Sequence, residues 1–498
     1  MLFNSLDFMI FFPVVVLVYF TLPKRARQYW LLIASYYFYM SWNPRYVFLI
    51  LFSTLITYVS GILMEQINQR NFDIKEEKRR KKFVVAGSFG LNIGLLLYFK
   101  YINFAFSIMG KVFSYVHINL KMPQFDIILP VGLSFFIFQA LSYTMDVYRN
   151  EMHAERNFFR YALFVSFFPQ LVAGPIERSK NLLEQLKEPK AFDFDRAREG
   201  LLLMLWGLFL KIVIADRIAM FVDTIYGDIA TYSGYYLVVA TIFFAFQIYC
   251  DFSGYSVIAM GTAKILGINL MENFDAPYFS ASVAVFWRKW HISLTSWFMD
   301  YLYIPLGGNR KGKIRKYINI MLVFLTSGLW HGAAMSFVVW GGINGLYQIA
   351  GEVLMPIRDK AVSIFHLDRD SLGHKLIHVL GTFILIDFSW IFFRAGSMAD
   401  AINIIKSILT VKNPWILFDG SLYNCGLDIK NYRVMLNGIA VLLFADFCKY
   451  QKISIREVIA KQDMWCRWIV IIVAVLTLVI FGIWGTSYEA SNFIYFQF

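Results

Sequence analysis

His331 sits in the tripeptide Trp330-His331-Gly332, inside the apolar run 318–350. A charged side chain near the centre of a bilayer costs roughly 2.5 kcal/mol or more. A neutral imidazole costs less, and an ordinary pKa of ~6.5 suits it to proton transfer near neutral pH. A second histidine closes the cluster Phe286-Trp287-Arg288-Lys289-Trp290-His291, which continues as Asp300-Tyr301-Leu302-Tyr303-Ile304-Pro305-Leu306-Gly307-Gly308-Asn309-Arg310. Two of the chain's seven histidines thus stand in aromatic settings at or within apolar runs. Proton transfer is the chemistry such a pair can do; the alternative is that each bridges helices through hydrogen bonds.

The elements around them must carry polar side chains at membrane depth. Arg288, His291 and Thr295 recur at helical spacing (i, i+3, i+7), so one face of a helix over 282–303 is suited to lining a polar cavity. Such a helix is costly against lipid and stable around a water- or ligand-filled tunnel. The competing reading is an amphipathic helix lying in the interface. The sequence 306–316 follows, with five basic residues, no acid and two adjacent glycines. Glycine permits positive φ and close approach of backbone N–H groups to an anion, so Arg310, Lys311 and Lys313 are candidate contacts for a phosphate-bearing ligand. A topogenic basic loop explains the same residues.

Hydrophobic residues make up 58% of 498 and charged residues 16%. A soluble domain carries about 25% charged residues, so the chain is expected to be an all-α polytopic membrane protein. Residues 7–22 lack a basic n-region and a small-residue cleavage site, and read as a retained first span. Four cysteines (Cys250, Cys425, Cys448, Cys466) have no metal-ligand spacing and no disulfide framework; Cys250 and Cys448 read as buried hydrophobes, and no metal is expected.

The net charge of +13 lies in short stretches between apolar runs, as the positive-inside rule requires, and not in a nucleic-acid-binding module. Lys24-Arg25-Ala26-Arg27 after the first span puts the amino terminus outside the cytoplasm. Asn43-Pro44 breaks the next apolar region into a hairpin that returns to a basic cytoplasmic loop at 75–82. Further apolar runs occur at 83–99, 127–147, 161–172, 201–214, 236–260, 318–350, 376–393, 434–447 and 468–484. With ~20 residues per crossing, about ten to thirteen passes are expected, some bent at Pro130, Pro169 and Pro175. No transporter-type internal repeat is evident. A single membrane domain over 1–498 is expected, its motif-bearing core at 130–350.

Several blocks carry a family resemblance: Pro130-Val131-Gly132-Leu133-Ser134-Phe135-Phe136, 139–149, Phe168-Pro169-Gln170-Leu171-Val172-Ala173-Gly174-Pro175-Ile176, Tyr249-Cys250-Asp251-Phe252-Ser253-Gly254-Tyr255, Asn273-Phe274-Asp275-Ala276-Pro277-Tyr278, 286–310 and Gly328-Leu329-Trp330-His331-Gly332-Ala333. In this order they resemble the membrane-bound O-acyltransferase (MBOAT) family, and within it the bacterial alginate-O-acetylation branch. Two positions depart from that branch: Val257 where many members carry Asp, and Asn344 where the Trp-Gly-x-x pattern continues with His.

The resemblance implies a helical bundle around a central tunnel and acyl transfer across the membrane. It implies that His331 is catalytic and His291 a second active-site residue, with Trp287, Arg288, Trp290, Asn273, Asp300 and Trp330 around the substrate tunnel. A neutral His331 takes a proton from an acceptor hydroxyl while that oxygen attacks the donor carbonyl. His291, Trp290 or Asn273 orients the substrate or stabilises the oxyanion. No Gly-x-Ser-x-Gly elbow is present, against a covalent serine mechanism. No permanently bound cofactor is implied; acetyl-CoA or another acyl thioester is the donor substrate. An extracytoplasmic SGNH-hydrolase-like partner and an envelope or exported polysaccharide are the implied partners, at a bacterial cytoplasmic membrane.

The stretch 449–467 holds five basic and two acidic residues, so one further crossing puts the aromatic tail 487–498 outside. The tail resembles that of the small tyrosine-bearing protein working with the D-alanylating members, where the tyrosine is implicated as an acyl relay; Tyr495 is the corresponding candidate. An interfacial aromatic anchor is the alternative. The competing functions are a teichoic-acid D-alanyltransferase fed by a carrier protein and, from another class, a proton-coupled transporter.

Overall fold

The computed structural model describes residues 1–70, 72–118, 123–484 and 494. Among them every extended element is a helix and the only β pairing is an isolated bridge between Phe274 and Trp290. The chain forms two compact units: 1–204 with 258–271, and 205–257 with 272–498.

The first unit is built on α1 (Leu6–Thr21), α2 (Lys24–Met40), α3 (Val47–Gln69), α4 (Ile74–Leu96), α5 (Ile102–Tyr115), α6 (Leu133–Tyr148) and α7 (Phe158–Ser166). Ser5 caps α1 by accepting from Phe8 N–H at 3.2 Å, satisfying one of the orphan donors of a helix start. Asn43 caps the 3₁₀ turn Pro44–Tyr46 where the sequence placed a break. α3, α4 and α6 pack on one another through small polar side chains, with Ser53 donating to Asn92 and Ser88 meeting Thr144. Gly61 makes room for the Tyr143 ring, whose hydroxyl lies 2.5 Å from where a Cβ would be. The basic stretch 75–82, expected as a loop, is instead the opening of α4. Glu76 and Glu77 pair one turn on with Arg80 and Lys81, each at 2.6 Å, and so favour the helix.

The second unit holds His291 and His331. α8 (Phe194–Leu208), whose residues up to Met204 belong to the first unit, leads through the π-helical turn Phe209–Ala215 into α9 (Asp216–Gly227), and α10 (Tyr235–Ile265) follows, its residues from Ile258 on belonging to the first unit. Two short helices, α11 (Val283–Lys289) and α12 (Ile292–Phe298), precede a second π-helical turn, Met299–Tyr303. The hairpin α13 (Lys313–His331) and α14 (Met335–Val353) comes next, then α15 (Leu372–Arg394), α16 (Ile429–Tyr450) and α17 (Met464–Phe481).

Among the described residues, five helical stretches are long and apolar enough to cross a membrane: Pro44–Gln69, Ile74–Tyr115, Tyr235–Ile265, Leu372–Arg394 and Met464–Phe481. Their surroundings differ. In Tyr235–Ile265, 78% of the most apolar window is buried, so α10 is a core helix clothed by protein. In Met464–Phe481 only 6% is buried, leaving Ile469, Val473, Leu476 and Ile480 outward, a surface that requires lipid. α1 is apolar but has 16 residues, shorter than the ~20 that a perpendicular crossing takes.

The run 318–350, read as continuous, is broken. α13 ends at His331 and Gly332 to Ala334 turn the chain back. Glycines let the two helices approach: a Cβ on Gly328 would lie 2.2 Å from the Phe337 carbonyl oxygen, and one on Gly341 2.3 Å from that of Phe324. His331 therefore stands at a helix end and not in mid-span.

Candidate active site

The His291 turn is made by backbone pairing, not by a continuous helix. α11 is capped by the Ser282 hydroxyl and ends at Lys289, and His291 adopts φ 45°, ψ 53° as the residue before α12. A left-handed conformation at a non-glycine residue costs of order 1–3 kcal/mol and persists only where neighbours over-determine it. Here they do: Ile292 N–H donates to the Asn273 carbonyl and Asp275 N–H to that of Lys289, both at 3.0 Å. The Asn273 side chain accepts from Ser293 N–H and Oγ at 3.3 and 2.6 Å, and donates to Ser256 Oγ on α10 at 3.0 Å. Asn273 is 1% exposed.

This corrects the expected helix face. Trp290 and His291 are buried, whereas Arg288 is exposed on α11 and bonds back to the Ala284 carbonyl. Asp300 is half-buried on the π-helical turn. Arg288 thus departs from buried His291, with which, and with Thr295, it was expected to share one helix face.

The two imidazoles share one aromatic neighbour. The Trp330 ring centre lies 6.0 Å from that of His291 and 4.9 Å from that of His331, edge to face in both cases. His291 also packs edge-on to Phe252 of α10 at 4.6 Å. His331 packs against Trp340 of α14 and Phe393 of α15, each at 5.2 Å. Both histidines are nearly sealed, at 1% and 6% exposure. His291 lies in the break between two short helices, outside any span, and burial pushes its pKa well below the ordinary value, so the neutral imidazole is the resident form. An apolar, aromatic wall around two imidazoles suits general-base chemistry, because it excludes competing water and strengthens local electrostatics.

A wall of indoles holds this arrangement. Trp287 donates from Nε1 to Asn344 Oδ1 at 3.2 Å, and Asn344 Nδ2 donates to the Trp340 carbonyl at 2.9 Å. Trp340 stacks on Trp390 at 5.8 Å, and Trp290 stacks on Phe286 at 5.3 Å. Asn344, noted in the sequence only as a departure, is the polar pin between Trp287 and the helix bearing Trp340. Trp340, Trp390 and Phe393 were not anticipated; single aromatics in apolar runs give no local signal among 13 tryptophans and 50 phenylalanines. Tyr249, one residue before buried Cys250, donates to the Asp446 carboxylate at 2.9 Å and was likewise missed.

Gly307, Gly308 and Gly312 have φ of 105°, 54° and 86°, and Asn319 Nδ2 donates to the Gly308 carbonyl at 2.9 Å to hold that turn. Arg310, Lys311 and Lys313 project from it exposed. Tyr495 lies outside the described residues, although its neighbour Ile494 does not. Among the described residues no three His, Cys, Asp or Glu side chains gather as a metal site.

Residues 110–388 match the model of the membrane-bound O-acyltransferase family. The chain is 32% identical to a probable alginate O-acetylase AlgI of Pseudomonas putida, over all of both chains. It is 32% identical to a peptidoglycan O-acetyltransferase of Helicobacter pylori, over 82% of this chain and 80% of that protein. A teichoic acid D-alanyltransferase of Bacillus subtilis is more distant, at 26% identity over 47% of this chain and 62% of that one.

Proposed function

This multi-spanning chain belongs to the membrane-bound O-acyltransferase family, and we propose that it takes acetyl groups from a cytoplasmic thioester, acetyl-CoA, for O-acetylation of an exported or envelope polysaccharide. The observation that carries the reading is the buried pair His291 and His331, both packed edge to face with Trp330. Full-length similarity to acetylases, against half-length similarity to a D-alanyltransferase, supports acetyl over D-alanyl.

The donor's phosphates meet Arg310, Lys311 and Lys313, and its acyl arm enters a tunnel lined by Trp287, Trp290 and Trp330. Neutral His331 accepts the proton of an acceptor hydroxyl as the oxygen attacks the thioester carbonyl. The C–O bond forms, the tetrahedral oxyanion collapses, the C–S bond breaks, and the imidazolium returns its proton to the departing thiolate. His291 orients the carbonyl or stabilises the oxyanion. The first acceptor is the Tyr495 phenol, and an SGNH-type partner on the outer side moves the acetyl group from that ester to the polymer. The enzyme lies in a bacterial cytoplasmic membrane with both termini outside.

Release of free CoA from acetyl-CoA by the purified protein in lipid nanodiscs tests the reading, with His331→Ala alongside. Turnover that depends on His331 is expected. A proton-coupled transporter would release no CoA, and a D-alanyltransferase would turn over only an aminoacylated carrier protein.

A further inference from the structure

Lys211, Asp216 and Asp251 form a charge cluster in the core of the second unit, each no more than 4% exposed. Lys211 Nζ donates to Asp251 Oδ1 at 2.5 Å and lies 2.9 Å from Asp216. Gly254, one turn beyond Asp251, lets α10 approach the preceding strand of helix: a Cβ there would lie 2.8 Å from the Gly207 carbonyl oxygen and 3.1 Å from Lys211 N. A buried carboxylate needs donors for both oxygens. The donor to Asp251 Oδ2 is the backbone N–H of Ile494, at 2.8 Å, and Ile494 itself is 1% exposed.

The route to that contact begins on the same π-helical turn. Widening from α to π geometry redirects backbone carbonyls, and such turns recur at functional sites. The Ile212 carbonyl accepts from Ile483 N–H at 3.1 Å, just after α17 ends. The chain is thus fastened at Ile212 and, eleven residues later (494 − 483), at Asp251, the partner of Lys211. Phe252, next to Asp251, is the residue packed on His291 at 4.6 Å. Tyr495 follows Ile494 by one Cα step of about 3.8 Å.

We propose that Asp251, held by Lys211, is a latch that fixes the carboxyl-terminal segment through the Ile494 N–H and thereby positions Tyr495. The consequence for acyl transfer rests on the reading of Tyr495 as acceptor; the latch itself does not. Asp251, Lys211 and Ile494 are positioning residues, because they act through the tail.

The donor is a main-chain group, so Ile494→Pro deletes it and leaves the Tyr495 hydroxyl intact, whereas Ile494→Val keeps the N–H. Asp251→Leu deletes the acceptor itself and leaves Lys211 paired with Asp216, so no buried charge loses its only counter-charge. Deuterium exchange of the carboxyl-terminal peptide, measured by mass spectrometry on the full chain in nanodiscs, reports tail docking at the amides that remain. Acetylation of the tail from acetyl-CoA is followed by intact mass. Wild type and Ile494→Val are expected to protect the tail. Ile494→Pro and Asp251→Leu should exchange at least about tenfold faster, the equilibrium worth of one charge-assisted hydrogen bond, and lose tail acetylation to a similar extent. Unchanged exchange in Ile494→Pro and in Asp251→Leu overturns the latch. If Tyr495→Phe stays fully active while Ile494→Pro frees the tail, the acceptor reading fails and the latch stands. If Tyr495→Phe is inactive while Ile494→Pro stays protected and active, the reverse holds.

Discussion

Asn273 accepts from Ser293 twice, at 3.3 Å from the N–H and 2.6 Å from the hydroxyl, and so fixes the residue two places after His291. Its Nδ2 donates to Ser256 on α10, so one buried amide sets the His291 turn against a core helix. Truncation to Asn273→Ala takes away those partners, and each buried polar group left unsatisfied costs about 1–3 kcal/mol. A shift of about 1 Å at a reacting group is enough to lose ~10²-fold in rate. Asn273→Ala is therefore expected to lower both the thermal midpoint and acetyl-CoA turnover. Wild-type turnover in that variant would remove Asn273 from positioning.

The two histidines should not be equivalent. Loss of a general base costs ~10²–10⁴-fold, and this is the expected effect of His331→Ala on turnover, with the protein still inserted and monodisperse. His291→Ala should be severe but smaller, because the proposed role of that side chain is to polarise or orient and not to abstract the proton. Rates measured side by side in nanodiscs check the order; a larger loss at His291 would exchange the two roles.

The α13–α14 hairpin gives a packing test. A side chain at Gly328 meets the Phe337 carbonyl oxygen at 2.2 Å, and that atom belongs to backbone that cannot swing aside. Gly328→Val is expected to abolish folding, seen as loss of the monodisperse peak in size-exclusion chromatography. Gly342→Ala is the control, since its Cβ would meet only Leu325 Cδ2 at 3.7 Å. Overpacking of this kind costs about 1–3 kcal/mol per group even where side chains can yield.

The two histidines that pack on Trp330 were legible in the sequence. Histidines in aromatic, apolar settings stand out because so few polar side chains are compatible with those runs. The path of the backbone was not legible. Arg288, His291 and Thr295 have helical spacing, yet the bonds to Asn273 and the bridge to Phe274 outweigh local periodicity and turn His291 left-handed. The turn after His331 is marked only by Gly332 and two alanines, a weak breaker inside a long apolar run. Lys211 and Asp251 are forty residues apart (251 − 211), and no spacing rule joins them. Basic residues at 75–82 carry the charge expected of a loop, but acids one turn earlier make them good helix.

The exposed basic residues near the glycine turn should act on the donor before chemistry. Replacing Arg310, Lys311 and Lys313 together by Gln removes three positive charges from the surface and leaves the aromatic site alone. KM for acetyl-CoA is expected to rise and kcat to stay near wild type, with the difference shrinking at high salt as Debye screening shortens the reach of the charges. A salt-independent loss of kcat would assign these residues a different task.

The last expectation concerns the Tyr495 hydroxyl. A phenol has an ordinary pKa of ~10, so attack on a thioester at neutral pH needs a base or a polarised site. His331 supplies the base if the tail reaches the site, and the described part of the tail favours that. Ile494 is buried against Asp251, whose neighbour Phe252 packs on His291. Tyr495→Phe keeps the ring, and with it any anchoring by aromatic contact, and deletes only the oxygen. Polymer acetylation is expected to fall to the level of His331→Ala while exchange protection of the tail is retained. Intact-protein mass spectrometry should show a labile acetyl ester on the wild-type tail, richer when the outer partner is absent, and none on Tyr495→Phe. Full acetylation of the polymer by Tyr495→Phe would make the tail a docking peptide and send the acetyl group from thioester to acceptor by another hydroxyl.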